Sequence, residues 1–255
     1  MSLSFRERLK LRWKRKRLLW RAFRSRHALA RYNVQTKKIF EEQILCFAVL
    51  RNEAERLPHF LEYHRNLGVG HFLIVVNAST DDSLPILEAQ PDVSVWTTSA
   101  GYKAARFGMN WTNWLLRKYG TGKWCLTLDA DELLVYPHME IQTVAKLSEE
   151  LDARGEDAFG ALMIDLYPKG PLGSQKFQVG QNPLDTLPYF DPHPHRMQRQ
   201  QPMNNLWVQG GVRDRVFFSD QPARAPTLNK IPLVKWRRSY VYVNSTHSML
   251  PRKLN

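Results

Sequence analysis

Residues 44–76 read ILCFAVLRNEAERLPHFLEYHRNLGVGHFLIVV, and this stretch decides the fold class. Residues 44–50 form an apolar run of strand length, and residues 71–76 form a second. Between them Leu57, Phe60, Leu61, His64 and Leu67 recur at helical spacing, and Gly68 and Gly70 punctuate the end. Strand, helix and strand in about 30 residues make a βαβ unit, which places its two strands side by side in a parallel sheet.

The alternation continues outward from that unit. Asp81 or Asp82 is placed to cap a helix carrying Leu84 and Leu87, and residues 93–96 read as a strand. A helix is predicted over 104–119, a strand over 123–128, a helix around Val144, Leu147 and Leu151, and a strand over 159–164. From Tyr167 to about Ala225 Pro and Gly become frequent and periodicity fades, which predicts an irregular lid or binding surface, or a plain connection. A closing strand is expected over 239–243. The whole pattern predicts an α/β, Rossmann-like domain with a mostly parallel central sheet flanked by helices.

Composition agrees with a globular chain. Of 255 residues 43% are hydrophobic and 24% charged. Cys46 and Cys125 sit in apolar runs without the spacing of a metal or redox pair, so both are expected to be buried hydrophobes. No apolar run approaches the ~20 residues that span a bilayer, and no apolar core of a signal peptide follows the basic start. The expected location is therefore the cytoplasm, peripheral on the inner face of the cell membrane.

The net charge of +13 is confined to one place. Residues 1–38 hold 14 of the 37 Lys/Arg and one acid, Glu7, which leaves 23 basic residues against 23 acidic in residues 39–255. This division predicts a basic N-terminal arm, 1–38, and a neutral domain, 39–255. Within the arm Phe5, Leu9, Trp13, Trp20 and Phe23 fall within about 40° of one line on a helix. A basic helix with an aromatic stripe suits an anionic membrane surface. A solvated tail, a protein partner and a nucleic-acid grip are the competing readings, the neutral body counting against the last.

Asp129 and Asp131 follow the strand-like run Trp124-Cys125-Leu126-Thr127-Leu128. In extended chain they share a face while Ala130 points away. Open α/β sheets bind ligands at the carboxyl ends of their strands, and two hard carboxylates there suit Mg²⁺ or Mn²⁺. A turn or helix cap is the alternative role for the pair.

Four ordered segments carry a family likeness. They are Val49-Leu50-Arg51-Asn52-Glu53 with Leu61-Glu62-Tyr63-His64; Val76-Asn77-Ala78-Ser79-Thr80-Asp81; Trp124 through Glu132; and Gly210-Gly211-Val212-Arg213-Asp214-Arg215-Val216-Phe217 with Asn229-Lys230-Ile231-Pro232-Leu233. Over residues 44–247 the chain resembles the family 2 glycosyltransferases, particularly a bacterial branch linked to surface polysaccharides. That resemblance implies a GT-A fold, a nucleotide-diphosphate sugar donor, a glycan or lipid-linked acceptor, and Mn²⁺ or Mg²⁺.

It further implies that Arg51, Glu53, Asn77 and Asp81 contact the nucleoside and that Asp129 and Asp131 are the donor and metal carboxylates. Val76 departs from the Asp that related sequences often carry there. Arg106 is a candidate for donor phosphate or for a surface salt bridge. His247 is a candidate third metal ligand or an ordinary part-exposed histidine. Inverting transfer needs a general base, for which Asp191 and then Asp165 are the candidates. Arg213, Arg215 and Lys230 are candidate phosphate clamps, with surface ion pairs as their alternative. His193 and His195 read as a solvated loop. Beside the transferase stands a second function: a catalytically inactive GT-A scaffold that binds membrane or glycan.

Overall fold

The computed structural model describes residues 3–171, 173, 176–192 and 195–255. Its centre is a seven-stranded sheet of β1 (Ala30–Asn33), β2 (Ile44–Leu50), β3 (Val69–Asn77), β4 (Val93–Thr98), β5 (Trp124–Thr127), β6 (Ala158–Leu162) and β9 (Asn229–Lys235), in the order β1-β4-β3-β2-β5-β9-β6. β4, β3, β2 and β5 are parallel neighbours. β9 runs against both β5 and β6, and β1 runs against β4. Five of the seven strands thus point one way, as expected of a mostly parallel sheet.

Both faces of the sheet are covered, which is why the middle strands are apolar throughout rather than alternating. Leu45 and Phe47 of β2 face Trp111 and Leu115 of α4 (Met109–Leu115) and also Trp236. Cys46, Ala48 and Leu50 face the other way, toward α2 (Leu57–Asn66) and α5 (Val144–Ala153). Each large side chain buried here contributes roughly 1.5–3 kcal/mol. Both cysteines are buried and free, as the sequence predicts.

Four stretches differ from expectation. The helix predicted from 104 begins at Met109, because Arg106, Phe107 and Gly108 all take positive φ and cannot continue a right-handed helix. It ends in a π-helical turn, Leu116–Gly120. The segment read as irregular contains α6 (Pro183–Thr186), a hairpin of β7 (His195–Gln200) and β8 (Asn205–Gly210), and α7 (Gly211–Phe217). His193 lies outside the described residues; His195 opens β7. The closing strand appears as β10 (Val241–Tyr242), which pairs with β11 (Met249–Leu250) and not with the central sheet.

β9 is a strand that the periodicity reading does not include, and it holds Pro232, a residue type that argues against a central position. It is accommodated because β6 shifts register between Phe159 and Ala161, and pairing with β5 stops at Leu126↔Leu233. The missing N–H therefore falls where the ladder is already interrupted.

The basic arm is a helix, α1 (Phe5–Ser25), begun by a capping box in which Ser4 and Glu7 each accept the other's backbone N–H. It packs on the body through Leu18, which meets Met203, Val241, Val243 and Leu250, and through buried Ala22. Ser25 Oγ donates to the Ala22 carbonyl at 2.7 Å and lies 3.0 Å from the Asn110 carbonyl of α4. Downstream of the helix, β1 joins the sheet edge. Among the described residues no helix is long and apolar enough to cross a membrane.

Candidate functional site

The parallel strands β2, β3 and β5 end together, and the chain leaving each supplies one wall of a cavity of about 330 Å³. Arg51 and Glu53 follow β2, Asn77 closes β3, and Asp129 and Asp131 follow β5. Tyr102 completes the wall. Its volume falls in the range of small-ligand sites. A larger cavity of about 540 Å³ lies beside β6, where Asp157 and Lys253, paired at 2.8 Å, are part of its lining. The smaller cavity is the better candidate because it sits at the strand carboxyl ends and gathers Arg51 and Asp131, which have no ion pair among the described residues.

Its floor is built by two loops latched together. Asp81 accepts from the Ala54 amide at 2.9 Å and from the Ser83 amide and hydroxyl at 3.1 and 2.6 Å. The Asn52 amide donates to Ser79 Oγ, and Asn52 Oδ1 accepts from the Thr80 amide. Burial pushes the Asp81 carboxyl up, but the bonds from Ser83 and Ala54 outweigh it and hold the pKa below the usual range. Asp81 thus serves as a latch beneath the cavity; its oxygens are engaged and it is not on the cavity wall. Neither Asp81 nor Asp82 makes a side-chain cap to α3 (Ser83–Glu88) of the usual N-cap kind.

Asn77 is oriented by two bonds from Nδ2, to the Thr98 and Ala100 carbonyls, each 3.0 Å. That leaves Oδ1 as its group for a ligand donor. The Glu53 carboxylate pairs with Arg56 at 2.8 Å. The Arg51 guanidinium has no ion pair among the described residues and is exposed at the cavity. Tyr102 is placed by the turn 101–108, where Gly108 (φ +78°) is required: a Cβ there would lie 3.0 Å from Val49 and 3.2 Å from Tyr102. Burial raises the Tyr102 phenol, and the charges of Asp129 and Asp131 raise it further.

The carboxylate loop is anchored by Lys230 of β9, whose side chain is only 7% exposed. Its ammonium donates to Asp129 Oδ2 at 3.1 Å and also to Glu132. Burial works against this charge, but Asp129 and Glu132 outweigh it and hold the pKa above the ordinary lysine value. Glu132 in turn accepts the Asp129 amide at 3.1 Å. Lys230 is therefore an inner support of Asp129, and the other Asp129 oxygen and the Asp131 carboxylate have no hydrogen bond among the described residues.

Two open carboxylates fit a divalent cation that keeps several waters and takes its remaining ligands from phosphate. His247 is not gathered with them: among the described residues no three His, Cys, Asp or Glu side chains form a group that could hold a metal. Its Nδ1 faces the Asn229 carbonyl, and burial lowers its pKa.

The remaining candidates stand elsewhere. Arg106 is turned away from the cavity, donating to the Val243 carbonyl and to Asn244. Arg213 pairs with Asp165, and Arg215 pairs with Asp191 at 2.7 Å. The Tyr167 hydroxyl also donates to Asp191 at 2.7 Å. The two candidate bases and two candidate clamps thus satisfy one another. Hydrogen bonds from Arg215 and Tyr167 hold the Asp191 carboxyl below the usual range, the wrong direction for a proton acceptor poised near neutrality. With Arg196–Asp214 at 2.8 Å, these pairs stitch α7 to three separate segments.

No family model matches the chain, and no curated protein matches it. Among solved structures it is similar to the crystal structure of 4-diphosphocytidyl-2C-methyl-D-erythritol synthase, at 18% identity and a TM-score of 0.33, over 54% of this chain and 68% of that one. A likeness this low supports no argument about activity.

Proposed function

We propose that the chain transfers a sugar from a nucleotide-diphosphate donor to a glycan or lipid-linked acceptor, in the manner of the GT-A glycosyltransferases, in surface polysaccharide assembly. The observation that carries this reading is the meeting of Arg51, Asn77, Tyr102, Asp129 and Asp131, from separate chain segments, on one cavity at the strand carboxyl ends.

Each group has a role that its chemistry suits. Asn77 Oδ1 accepts a base N–H, and Tyr102 offers a ring for the nucleoside to rest against. Arg51 binds phosphate oxygen through charge-assisted bonds. Asp129 and Asp131 would hold Mg²⁺ or Mn²⁺, which when bound neutralises charge on the diphosphate. The charge balance favours such a cation: a diphosphate meets two open carboxylates here, and Arg51 alone offsets little of that repulsion. Lys230 aims Asp129 through the bond to its Oδ2 at 3.1 Å. Asp165 and Asp191 serve as general base only if their arginine pairs open.

The test is thermal stability with UDP, GDP and CMP, each with and without Mn²⁺. A ligand that binds only the folded chain raises the midpoint. A rise requiring one nucleotide together with the cation is the expected result, and Asp131→Asn should remove it. No rise with any pair would favour the catalytically inactive scaffold.

A further inference from the structure

α1 carries two apolar lines; the fold uses one of them and only the Phe23 end of the other. Leu11, Leu18 and Ala22 lie on the side that packs on the body. Phe5, Leu9, Trp13 and Trp20 lie roughly opposite at 100° per residue, while Phe23, at the end of that line, meets Trp114 of α4 edge-on at 5.7 Å. Phe5, Trp13 and Trp20 are 72%, 63% and 57% exposed. Such a run of large apolar side chains on one exposed helix face marks an interaction surface.

The chemistry around it identifies the occupant. Arg6, Arg17 and Arg24 border the stripe on one side and Arg8 and Arg12 on the other. Lys16 and Arg24 lie over the Trp13 and Trp20 rings, 5.4 and 4.9 Å from their centroids. On the flank toward the body Lys14 and Arg17 approach Arg106, whose Nε is buried with no hydrogen-bond partner among the described residues. Several cations held together with no acid paired to them among the described residues call for a ligand carrying many negative charges. The aromatic stripe between them calls for one with an apolar interior.

We propose that α1 lies on an anionic lipid surface, with Phe5, Leu9, Trp13 and Trp20 entering the interface and the flanking Arg and Lys side chains taking headgroup phosphates. Docking requires no rearrangement, since the face that binds is the one the fold leaves open. Interfacial helices combine these two features, and each Lys or Arg near such a surface adds about 1 kcal/mol. Arg21 of the same helix reaches the Ala104 carbonyl at 3.5 Å, in the turn that places Tyr102. The candidate site thus adjoins the docked helix, an arrangement suited to a lipid-linked acceptor; that last point rests on the transferase reading, whereas docking does not.

The test is co-sedimentation of the full chain with vesicles of neutral phosphatidylcholine and with vesicles enriched in phosphatidylglycerol. Binding should occur only to the second and fall as salt is raised. The double variant Trp13→Glu/Trp20→Glu should lose at least roughly tenfold in affinity with an unchanged thermal midpoint. If that variant is unstable, Trp13→Gln/Trp20→Gln replaces it. Equal sedimentation of a folded variant overturns the proposal, as does equal binding to neutral vesicles. Binding to single-stranded RNA but not to vesicles would assign the face to nucleic acid. A lipid-free wild-type dimer that the variant dissolves would assign it to a second copy. None of these readings depends on turnover.

Discussion

His64 shows how one buried side chain ties stability to pH. Its Nδ1 donates to the Phe60 carbonyl at 2.8 Å, and its Nε2 accepts the Leu134 amide at 3.4 Å, so α2 holds the chain that follows Asp129 and Asp131. Burial pushes its pKa down to about 4. An unfolded histidine titrates near 6.5, so between these values the unfolded chain binds more protons than the folded one. The associated stability is complete above about 6.5 and disappears as pH falls toward 4, an effect on the order of 3 kcal/mol. Burial lowers His71 and His247 in the same direction. Urea midpoints should therefore fall over that window, and His64→Leu should flatten part of the decline; a wild-type curve level from neutrality to pH 4.5 would contradict the assignment. Lys230 presents the complementary case. Lys230→Met leaves Glu132 and Asp129 without their cation and should cost about 3 kcal/mol, measured by denaturant unfolding. Asp131→Asn, at an exposed carboxylate without a hydrogen-bond partner among the described residues, should leave stability within ~0.5 kcal/mol.

At the scale of elements, the turn between β4 and α4 carries more than a connection. Arg106, Phe107 and Gly108 in succession take positive φ, and this brings Tyr102 onto the end of β2. Gly108→Ala combines an unfavourable φ, worth about 1–2 kcal/mol, with crowding against Val49 and Tyr102. It should lower the thermal midpoint and also weaken the nucleotide-dependent rise, because the wall itself must move. A lowered midpoint with an unchanged nucleotide response would show that Tyr102 has no part in binding. α7 is a different kind of element. Its Arg213, Asp214 and Arg215 reach Asp165, Arg196 and Asp191, so charge pairs rather than an apolar face attach it to its surroundings. Part-exposed pairs of this sort contribute about 0–1 kcal/mol each and are screened by salt.

For the molecule as a whole, the N-terminal helix belongs to the folded body and to its exterior at once. Leu18→Ala should cost about 2–5 kcal/mol, as loss of a buried leucine does, because Leu18 closes the cluster of Met203, Val241, Val243 and Leu250. Trp13→Ala, five positions away, should change unfolding by less than ~0.5 kcal/mol. Chemical denaturation of both variants checks the contrast, and equal losses would mean that the exposed line also packs. Deleting residues 1–38 would remove β1 and uncover that cluster, so point substitutions on the exposed face separate docking from folding where a truncation does not.

The sequence by itself determined the parallel core and the place of the candidate site. Strand and helix periods from 44 to 128 alternate plainly, and a parallel sheet brings the carboxyl ends of its strands to one side; Asp129 and Asp131 follow from that geometry, whereas Arg51 and Asn77 follow from the family resemblance. Tertiary structure alone decided the rest. Residue type announces the charge of Asp81, Arg106, Arg213 and Arg215 but not its partner, since those partners lie 24 to 138 residues away in the chain. That a central strand tolerates Pro232 depends on a register shift in the neighbouring strand, which the local sequence does not show. α1 has two lines of apolar side chains at helical spacing, and nothing local distinguishes them. Which line is buried was settled by Met203, Val241, Val243 and Leu250, more than 180 residues further on, because burial is a property of the packed partner and not of the helix.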